Sequence, residues 1–290
     1  MILYKIEYLV FIFIGKFFSL GGLSYIKYTS KILAFLFFYI IRVRRNVVLH
    51  NLKIAFPDLP DKDLKKIAFK NYRSIAITFL ELFVYPKLSE EKILSAYSIN
   101  NFDLIKKRKS EGKGLILLTA HYGNWEFAAL VTGILLKNPI NVLVKEQSNP
   151  YVTKWLKNVR EKFGNKEIPL GISVKEIFKA LKEDKIVGVV GDQRGPRDGI
   201  KVRFFGKQTS TFAGTPSIAL KLNAPVLVLF CVRKPNGNYQ GILEEIKLDS
   251  LEGNYNEKIK AFNQQYMTLL ENLIKQHPEQ WFWMHNIWKY

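Results

Sequence analysis

Cysteine is nearly absent from this 290-residue chain, which contains only Cys231. A single cysteine has no partner for an intrachain disulfide, so the sequence excludes a disulfide-stabilised scaffold and favours a reducing compartment. Cys231 lies in the apolar run of residues 225–232, where a lone cysteine is most often a small buried hydrophobe. We therefore predict that Cys231 is not a catalytic nucleophile.

Several motifs of common enzyme classes are also missing. The sequence contains no P-loop, no dinucleotide-binding glycine fingerprint and no H-E-x-x-H zinc motif. Gly171-Ile172-Ser173 lacks the second glycine of a nucleophile elbow. The four histidines have no metal-ligand spacing: His50, His121, His277 and His285. We predict that the protein uses no metal and no bound cofactor.

Acidic residues are scarce, with 25 Asp and Glu against 44 Lys and Arg, and the formal net charge is +19. An excess this large predicts an anionic partner, and nucleic acid, an anionic membrane surface or an acidic protein would each qualify. Lysines that only keep the surface soluble are the other interpretation. The aromatic residues form no nucleic-acid-binding module, so we expect no nucleic-acid partner. Because 48% of the residues are hydrophobic, an intrinsically disordered chain is excluded.

The first 41 residues are apolar but lack an uninterrupted run of the ~18 to 20 residues that cross a bilayer. Four lysines interrupt them: Lys5, Lys16, Lys27 and Lys31. No A-x-A cleavage site is present, so we predict no cleaved signal peptide. A basic cluster follows: Arg42, Arg44 and Arg45. This order predicts membrane-associating helices over residues 1–45 and a catalytic domain over residues 46–290. Packing of the helices onto the globular core and a single tilted span are the alternatives.

Strand and helix patterns alternate through the centre of the chain. Predicted strands cover residues 114–119, 140–145, 166–169, 186–190 and 226–232, and predicted helices between them cover 126–136, 151–163, 174–183 and 216–222. Continuous apolar strands separated by helices indicate an α/β fold with a mostly parallel central sheet flanked by helices. Residues 241–248 add a strand after a turn, antiparallel to its predecessor. Longer helices are predicted at 61–83 and 255–276, and an aromatic tail ends at Tyr290.

A histidine sits where a predicted strand ends and a predicted helix begins. His121 follows the strand at 114–119, and Glu126 opens the helix at 126–136. Ligands of open α/β sheets bind at this edge, beyond the carboxyl ends of the strands. On a continuous helix, a spacing of five residues puts two side chains about 140° apart. His121 and Glu126 therefore meet only if His121 lies in the turn before the helix, and Gly123 and Asn124 favour such a turn. Glu126 would then orient His121 as a general base, and a purely structural histidine is the alternative.

Residues 121–126, His-Tyr-Gly-Asn-Trp-Glu, resemble the H-x4-D/E motif of the glycerolipid and lysophospholipid acyltransferases. The form with Gly-Asn-Trp-Glu is similar to the lipid A biosynthesis late acyltransferases, the lauroyl and myristoyl transferases. Other segments agree in the same order over residues 42–290: Arg45-Asn46, Asn51-Leu52, Ala55-Phe56-Pro57, Asp192-Gln193, Phe204-Phe205-Gly206 with Thr211 and Gly214, and Pro278-Glu279-Gln280-Trp281 with Trp283 and His285. Several separated motifs in one order are more specific than H-x4-E alone.

The resemblance implies an enzyme that moves a fatty acyl chain from an acyl-carrier-protein thioester to a hydroxyl of a lipid A precursor. The expected partners are acyl carrier protein, an anionic phosphoglycolipid acceptor and the cytoplasmic face of the inner membrane. Another glycolipid or a lysophospholipid acceptor is the nearest alternative. A non-enzymatic basic protein on an anionic surface is the more distant one.

The resemblance also implies site residues beyond His121 and Glu126. Asp192 and Arg194 follow the strand at 186–190 and so reach the same sheet edge, with a role in a turn as the alternative for Asp192. Arg160 aligns with a site arginine, and an outward-facing helix position fits it equally well. Asn124 lies within the motif itself and is expected to support it.

Three more candidates lie after the strand at 186–190. Arg203 could bind phosphate or carboxylate groups. Thr211 and Gly214 precede the helix at 216–222, where hydroxyls cap and backbone amides accept anions; ordinary capping is the alternative. Glu81 lies near the end of the helix at 61–83; we expect it to be solvated, and a position that lines the site is the alternative.

Overall fold

The computed structural model describes residues 1–170 and 173–289, so Gly171, Ile172 and Tyr290 lie outside the described residues. Its strands in chain order are β1 (Tyr97–Ile99), β2 (Leu115–Thr119), β3 (Ile140–Val144), β4 (Lys166–Pro169), β5 (Ile186–Val190), β6 (Ile200–Phe204), β7 (Lys207–Thr211), β8 (Val226–Arg233) and β9 (Tyr239–Ile246). A seven-stranded sheet has the order β1-β9-β8-β2-β5-β3-β4, and β6 pairs with β7 in a separate hairpin.

The large sheet is mostly parallel, which confirms the predicted fold class. Strands β8, β2, β5, β3 and β4 run in one direction. The turn after β8 returns the chain as antiparallel β9, as the sequence predicts, and β1 pairs parallel to β9 at the sheet edge. Strand β1 was not predicted, because three residues are too few to show the alternation that identifies a strand.

Helices cover both faces of the sheet. They are α1 (Ile2–Ser19), α2 (Gly22–Phe35), α3 (Arg45–Ala55), α4 (Asp61–Glu81), α5 (Glu90–Ser95), α6 (Phe102–Lys109), α7 (Trp125–Leu136), α8 (Pro150–Glu161), α9 (Ser173–Lys182), α10 (Gly214–Leu222) and α11 (Tyr255–Gln276). A single π-helical turn, Leu36–Ile40, extends α2.

The central strand β2 explains how the sheet is held between the two helical layers. Ile116 and Leu118 belong to one hydrophobic cluster, whereas Leu115 and Leu117 belong to another. Successive side chains of a strand point to opposite faces, so a continuous apolar strand contributes to a core on each side. All four are buried, and each contributes roughly 1.5–3 kcal/mol relative to an exposed side chain. This packing fixes the end of β2, where His121 follows.

The N-terminal helices α1 and α2 form a pair bent by 116°. No single helix in the described ranges is long and apolar enough to cross a membrane; this bent pair, extended to Ile40, meets that test by length and composition. One face of α2 packs on α4 through buried Ile26, Leu33 and the following Phe38. The opposite face is open: 20 of the 25 exposed large hydrophobic side chains lie between Met1 and Val43. The pair therefore has one face in the core and an apolar face that no described residue covers.

Candidate active site

The register of two neighbouring strands brings His121 and Asp192 together. Thr119 and Val190 are paired at the carboxyl ends of β2 and β5. His121 lies two residues beyond Thr119, and Asp192 lies two residues beyond Val190. Because the strands are parallel, both side chains emerge at the same sheet edge.

Asp192 binds His121 through both carboxylate oxygens. Oδ1 lies 2.7 Å from the imidazole Nδ1, and Oδ2 accepts the backbone N–H of His121 at 3.0 Å. Oδ2 also accepts the indole N–H of Trp281 at 2.8 Å. Burial acts to raise the pKa of Asp192, but the His121 charge and these hydrogen bonds outweigh it and lower the pKa. Asp192 is thus held as a carboxylate in a buried position.

The His121 imidazole is positioned as a base. Burial acts to lower its pKa, but the charges of Asp192 and Glu126 and the hydrogen bond to Asp192 outweigh burial and raise it. When Nδ1 donates its hydrogen to Asp192, Nε2 carries the lone pair. Trp125 and Phe282 flank the ring, with centroids 5.0 and 5.8 Å from it. The side chain keeps 20% of its surface exposed, so a substrate can reach it.

Glu126 does not orient the imidazole; this expectation from the sequence was wrong. Its two oxygens accept hydrogen bonds from Arg160 Nη2 at 2.6 Å and Nε at 2.9 Å. Arg160 also donates to Glu167 at 2.8 Å. A planar guanidinium matches both oxygens of a carboxylate, so Arg160 on α8 holds Glu126 and Asp192 takes the imidazole. Glu126 still acts on His121 through its charge, and Arg160 faces Glu126 rather than solvent.

The turn between His121 and α7 depends on Gly123 and Asn124. Gly123 has φ of 57°, and a Cβ there would lie 1.7 Å from the carbonyl oxygen of Cys231. No side chain fits that space, and the φ value favours glycine. Asn124 is the N-cap of α7, and its Oδ1 accepts the N–H of Phe127 at 2.9 Å. These two residues set the entry angle of the helix that carries Glu126.

Glu81 is buried behind this turn, so the expectation that it is solvated was wrong. Only 5% of its surface is exposed. Its Oε2 accepts hydrogen bonds from Asn124 Nδ2 at 2.6 Å, Tyr85 at 2.7 Å and Tyr239 at 2.5 Å. The helical pattern of residues 61–83 does place Glu81 beside buried positions, but two of its three polar partners, Asn124 and Tyr239, come from distant segments. The sequence therefore offered no direct signal for this cluster.

The C-terminal tail closes another side of the site. The Phe282 N–H donates to the His121 carbonyl at 2.9 Å, and the Gly123 N–H donates to the Gln280 carbonyl at 2.9 Å. Two buried asparagines hold the tail: Asn51 donates to the carbonyls of residues 283 and 285, and Asn71 to those of residues 279 and 281. The aromatic tail is therefore part of the site wall.

Arg194 and His285 lie next to the His121–Asp192 pair. The Arg194 N–H donates to His285 Nε2 at 2.9 Å. Burial, with nearby Arg194, His121 and Arg44, lowers the pKa of His285 to about 4 against the opposing charge of Asp192. His285 is neutral near pH 7 and accepts this hydrogen bond, which anchors the loop after Asp192.

The three remaining predicted residues lie in the β6–β7 hairpin or just after it. Arg203 is exposed, and its backbone pairs with Gln264 on α11. The Thr211 hydroxyl donates to the Ile200 carbonyl at 2.9 Å and accepts from Asn263 at 2.9 Å. Gly214 is the exposed first residue of α10. The structure brings none of these three described residues into hydrogen-bond contact with His121, and their roles with substrate stay predictions.

Comparison with known proteins identifies the family. The chain matches the family described as bacterial lipid A biosynthesis acyltransferase over residues 1–290. It is 24% identical to the lipid A biosynthesis lauroyltransferase of Escherichia coli (strain K12) over 249 residues, which covers 85% of this chain and 79% of that protein. The palmitoleoyltransferase of lipid A biosynthesis from the same strain is 21% identical over 248 residues, with 85% and 79% covered. The phosphatidylinositol mannoside acyltransferase of Mycolicibacterium smegmatis is 22% identical over 237 residues, with 80% and 74% covered. This chain belongs to the bacterial lipid A biosynthesis acyltransferase family.

Proposed function

We propose that the protein transfers a fatty acyl chain from an acyl-carrier-protein thioester to a hydroxyl of a lipid A precursor. The observation that carries the proposal is the His121–Asp192 pair at the carboxyl edge of the sheet. It supplies a buried carboxylate, an oriented imidazole and a partly exposed ring. The names of the relatives support a glycolipid as the acceptor.

His121 acts as the general base in a direct transfer. Nε2 takes the proton of the acceptor hydroxyl as that oxygen attacks the thioester carbonyl. The tetrahedral intermediate then collapses, the C–S bond breaks, and the imidazolium returns its proton to the leaving thiolate. The products are an acyl ester on the acceptor and the free carrier thiol, and no acyl-enzyme forms.

Asp192 and Glu126 stabilise the imidazolium that forms in this step. Asp192 does so through a hydrogen bond at Nδ1, and both carboxylates contribute favourable charge. Arg160 keeps Glu126 in place through two hydrogen bonds. Catalysis then rests on interactions that strengthen as positive charge develops on His121.

The remaining features fit an anionic, membrane-embedded acceptor and an acidic donor protein. The net charge of +19 favours phosphorylated glycolipid, anionic lipid and acyl carrier protein alike. The exposed apolar face of α1 and α2 fits attachment to the cytoplasmic face of the inner membrane. A mannoside-bearing phospholipid is the second candidate acceptor, because one group of relatives carries that activity in its name.

The test is incubation of the purified protein with acyl-carrier-protein thioester and either a lipid A precursor or a phosphatidylinositol mannoside, with product detection by mass spectrometry. We expect acylation of the lipid A precursor by the wild type and by a His50→Ala control, whose histidine is exposed on α3. His121→Ala should give none. Acylation of the mannoside alone would replace the proposed acceptor. Transfer to neither lipid, together with salt-sensitive nucleic-acid binding, would favour a non-enzymatic role.

A further inference from the structure

A polar network lies directly behind the turn that carries His121. Helix α4 and the turn after it contribute buried Ser74, Thr78, Glu81 and Tyr85. These side chains contact Asn124 at the start of α7, Arg233 at the end of β8 and Tyr239 at the start of β9. Within the part of the chain that the structure describes, none of these residues shares a hydrogen bond with the His121 imidazole, whose partner is Asp192. Their hydrogen bonds lead to Gly123 and Asn124, the two residues that shape the turn.

Arg233 joins the two ends of this network. Its Nε donates to the Tyr239 hydroxyl at 2.7 Å, and Tyr239 in turn donates to Glu81. Its Nη2 donates to the Thr78 hydroxyl at 2.8 Å, and that hydroxyl donates to the Gly123 carbonyl at 2.7 Å. Two chains of hydrogen bonds therefore run from one guanidinium to adjacent residues of the turn.

Burial of such a network needs a reason. A buried acidic group and a partly buried guanidinium are costly to desolvate, and well-packed apolar residues often replace such pairs with no loss of stability. Burial acts to lower the pKa of Arg233, while Tyr239 and Glu81 outweigh it and raise the pKa, so the cation is retained. Fully satisfied polar networks fix one conformation of the groups that they contact. The groups in contact here are the Gly123 carbonyl and the Asn124 side-chain amide.

We propose that Thr78, Glu81 and Arg233 are positioning residues that hold the Gly123–Asn124 turn, and with it His121 and Glu126, in the geometry for acyl transfer. His121 lies two residues before Gly123, and Glu126 lies two residues after Asn124. Displacement of the turn would therefore change the position of the His121 imidazole relative to the Glu126 carboxylate. Misplacement of reacting groups by about 1 Å costs on the order of 10²-fold in rate.

Thr78 offers the sharpest test, because the chain contains a matched threonine. Thr29 is also buried, its hydroxyl lies 2.7 Å from the Phe18 carbonyl, and it too contacts the carbonyl four residues earlier at 3.2 Å. Thr78 lies 2.7 Å from the Gly123 carbonyl and 3.2 Å from the Ser74 carbonyl. Thr29→Val and Thr78→Val each remove a buried hydroxyl that lies within hydrogen-bond distance of two carbonyls, but only Thr78 contacts the turn and accepts a hydrogen bond from Arg233.

The inference rests on the proposed acyl transfer, so the experiment has one readout that needs activity and one that does not. We expect Thr78→Val to lower kcat about 10- to 100-fold with KM nearly unchanged. Thr78→Ser should keep most of the wild-type kcat, because serine retains the hydroxyl. The kcat of Thr29→Val should stay within about twofold of the wild-type value. Hydrogen–deuterium exchange of the peptide over residues 119–127 should accelerate in Thr78→Val and not in Thr29→Val.

The possible outcomes separate the positioning role of Thr78 from the proposed acyl transfer. Equal kcat and equal exchange in the two valine variants would overturn the positioning role while leaving acyl transfer intact. Faster exchange in Thr78→Val beside a wild type that acylates no lipid would support positioning of the turn and overturn the proposed reaction. Loss of kcat in Thr78→Val with unchanged exchange over residues 119–127 would also overturn the positioning role.

Discussion

The imidazole Nδ1 of His121 lies 2.7 Å from Oδ1 of Asp192, although 71 positions separate the two residues. The pairing of Thr119 with Val190 makes this contact a consequence of strand register, because each residue stands two positions beyond a paired strand end. The carboxylate that orients the histidine therefore comes from the neighbouring strand. The glutamate within the same motif pairs with an arginine instead.

His121→Ala should abolish acyl transfer and leave the fold intact. The imidazole is the only proposed base, and loss of a general base costs about 10²- to 10⁴-fold in rate. The measurement is the initial rate with acyl-carrier-protein thioester, next to circular dichroism and thermal unfolding of the same sample. Turnover close to wild type in a folded His121→Ala protein would remove His121 from the mechanism.

Asp192→Asn should shift the pH dependence of catalysis to lower pH and reduce the maximal rate. A general base must be neutral, so activity falls as pH drops through the pKa of His121, which Asp192 raises. Without that charge, burial leaves a lower His121 pKa, and the acidic limb of the kcat/KM profile moves down. We would record profiles between about pH 5 and pH 9 for both proteins. An acidic limb at unchanged or higher pH would contradict this assignment.

Much of the sheet was predictable because its strands are continuous apolar runs bounded by turns, and the position of His121 beyond β2 followed from that pattern. The same pattern did not show which of two carboxylates contacts the His121 imidazole. Both Glu126 and Asp192 lie within reach of a strand-end histidine, and Arg160, 34 residues after Glu126, decides between them. Glu81 was misassigned for a similar reason. Its partners Asn124 and Tyr239 are 43 and 158 residues away, so no local periodicity reveals them.

Glu126→Gln and Glu167→Gln should separate catalysis from stability. Each removes one carboxylate that accepts a hydrogen bond from Arg160, and both side chains are mostly buried. We expect each to lower the free energy of unfolding by about 2 kcal/mol. Of these two glutamates, Glu126 alone raises the pKa of His121, so only Glu126→Gln should lower kcat, by roughly 10²-fold. The measurements are chemical denaturation and steady-state kinetics. Equal kinetic loss in both variants would assign Glu126 a purely structural role.

Cys231→Ser should retain most of the activity. The thiol is fully buried in β8, and burial raises its pKa, so it stays protonated and is a poor nucleophile at neutral pH. The buried hydroxyl of serine should cost about 1–3 kcal/mol of stability. Steady-state kinetics of the variant, with mass spectrometry of the wild type during turnover, provide the check. An acyl group trapped on Cys231 would show a covalent mechanism in place of direct transfer.

Serine substitutions on the exposed face of α1 and its following turn should release the protein from membranes. Leu3, Phe13 and Leu20 are 66%, 70% and 75% exposed, and each apolar side chain buried in lipid contributes roughly 1.5–3 kcal/mol. Nearby basic residues add only about 1 kcal/mol each, and salt screens that part alone. The triple serine variant should therefore leave the membrane fraction more completely at low salt than the wild type does at high salt.

Substitution is a sharper test than deletion of residues 1–45, because deletion would also remove the packing of α2 on α4. The control is Phe212→Ser, which removes a 56% exposed aromatic far along the chain and should stay membrane-bound. Retention of the triple variant in the membrane fraction at low salt would place the anchor outside this face of α1.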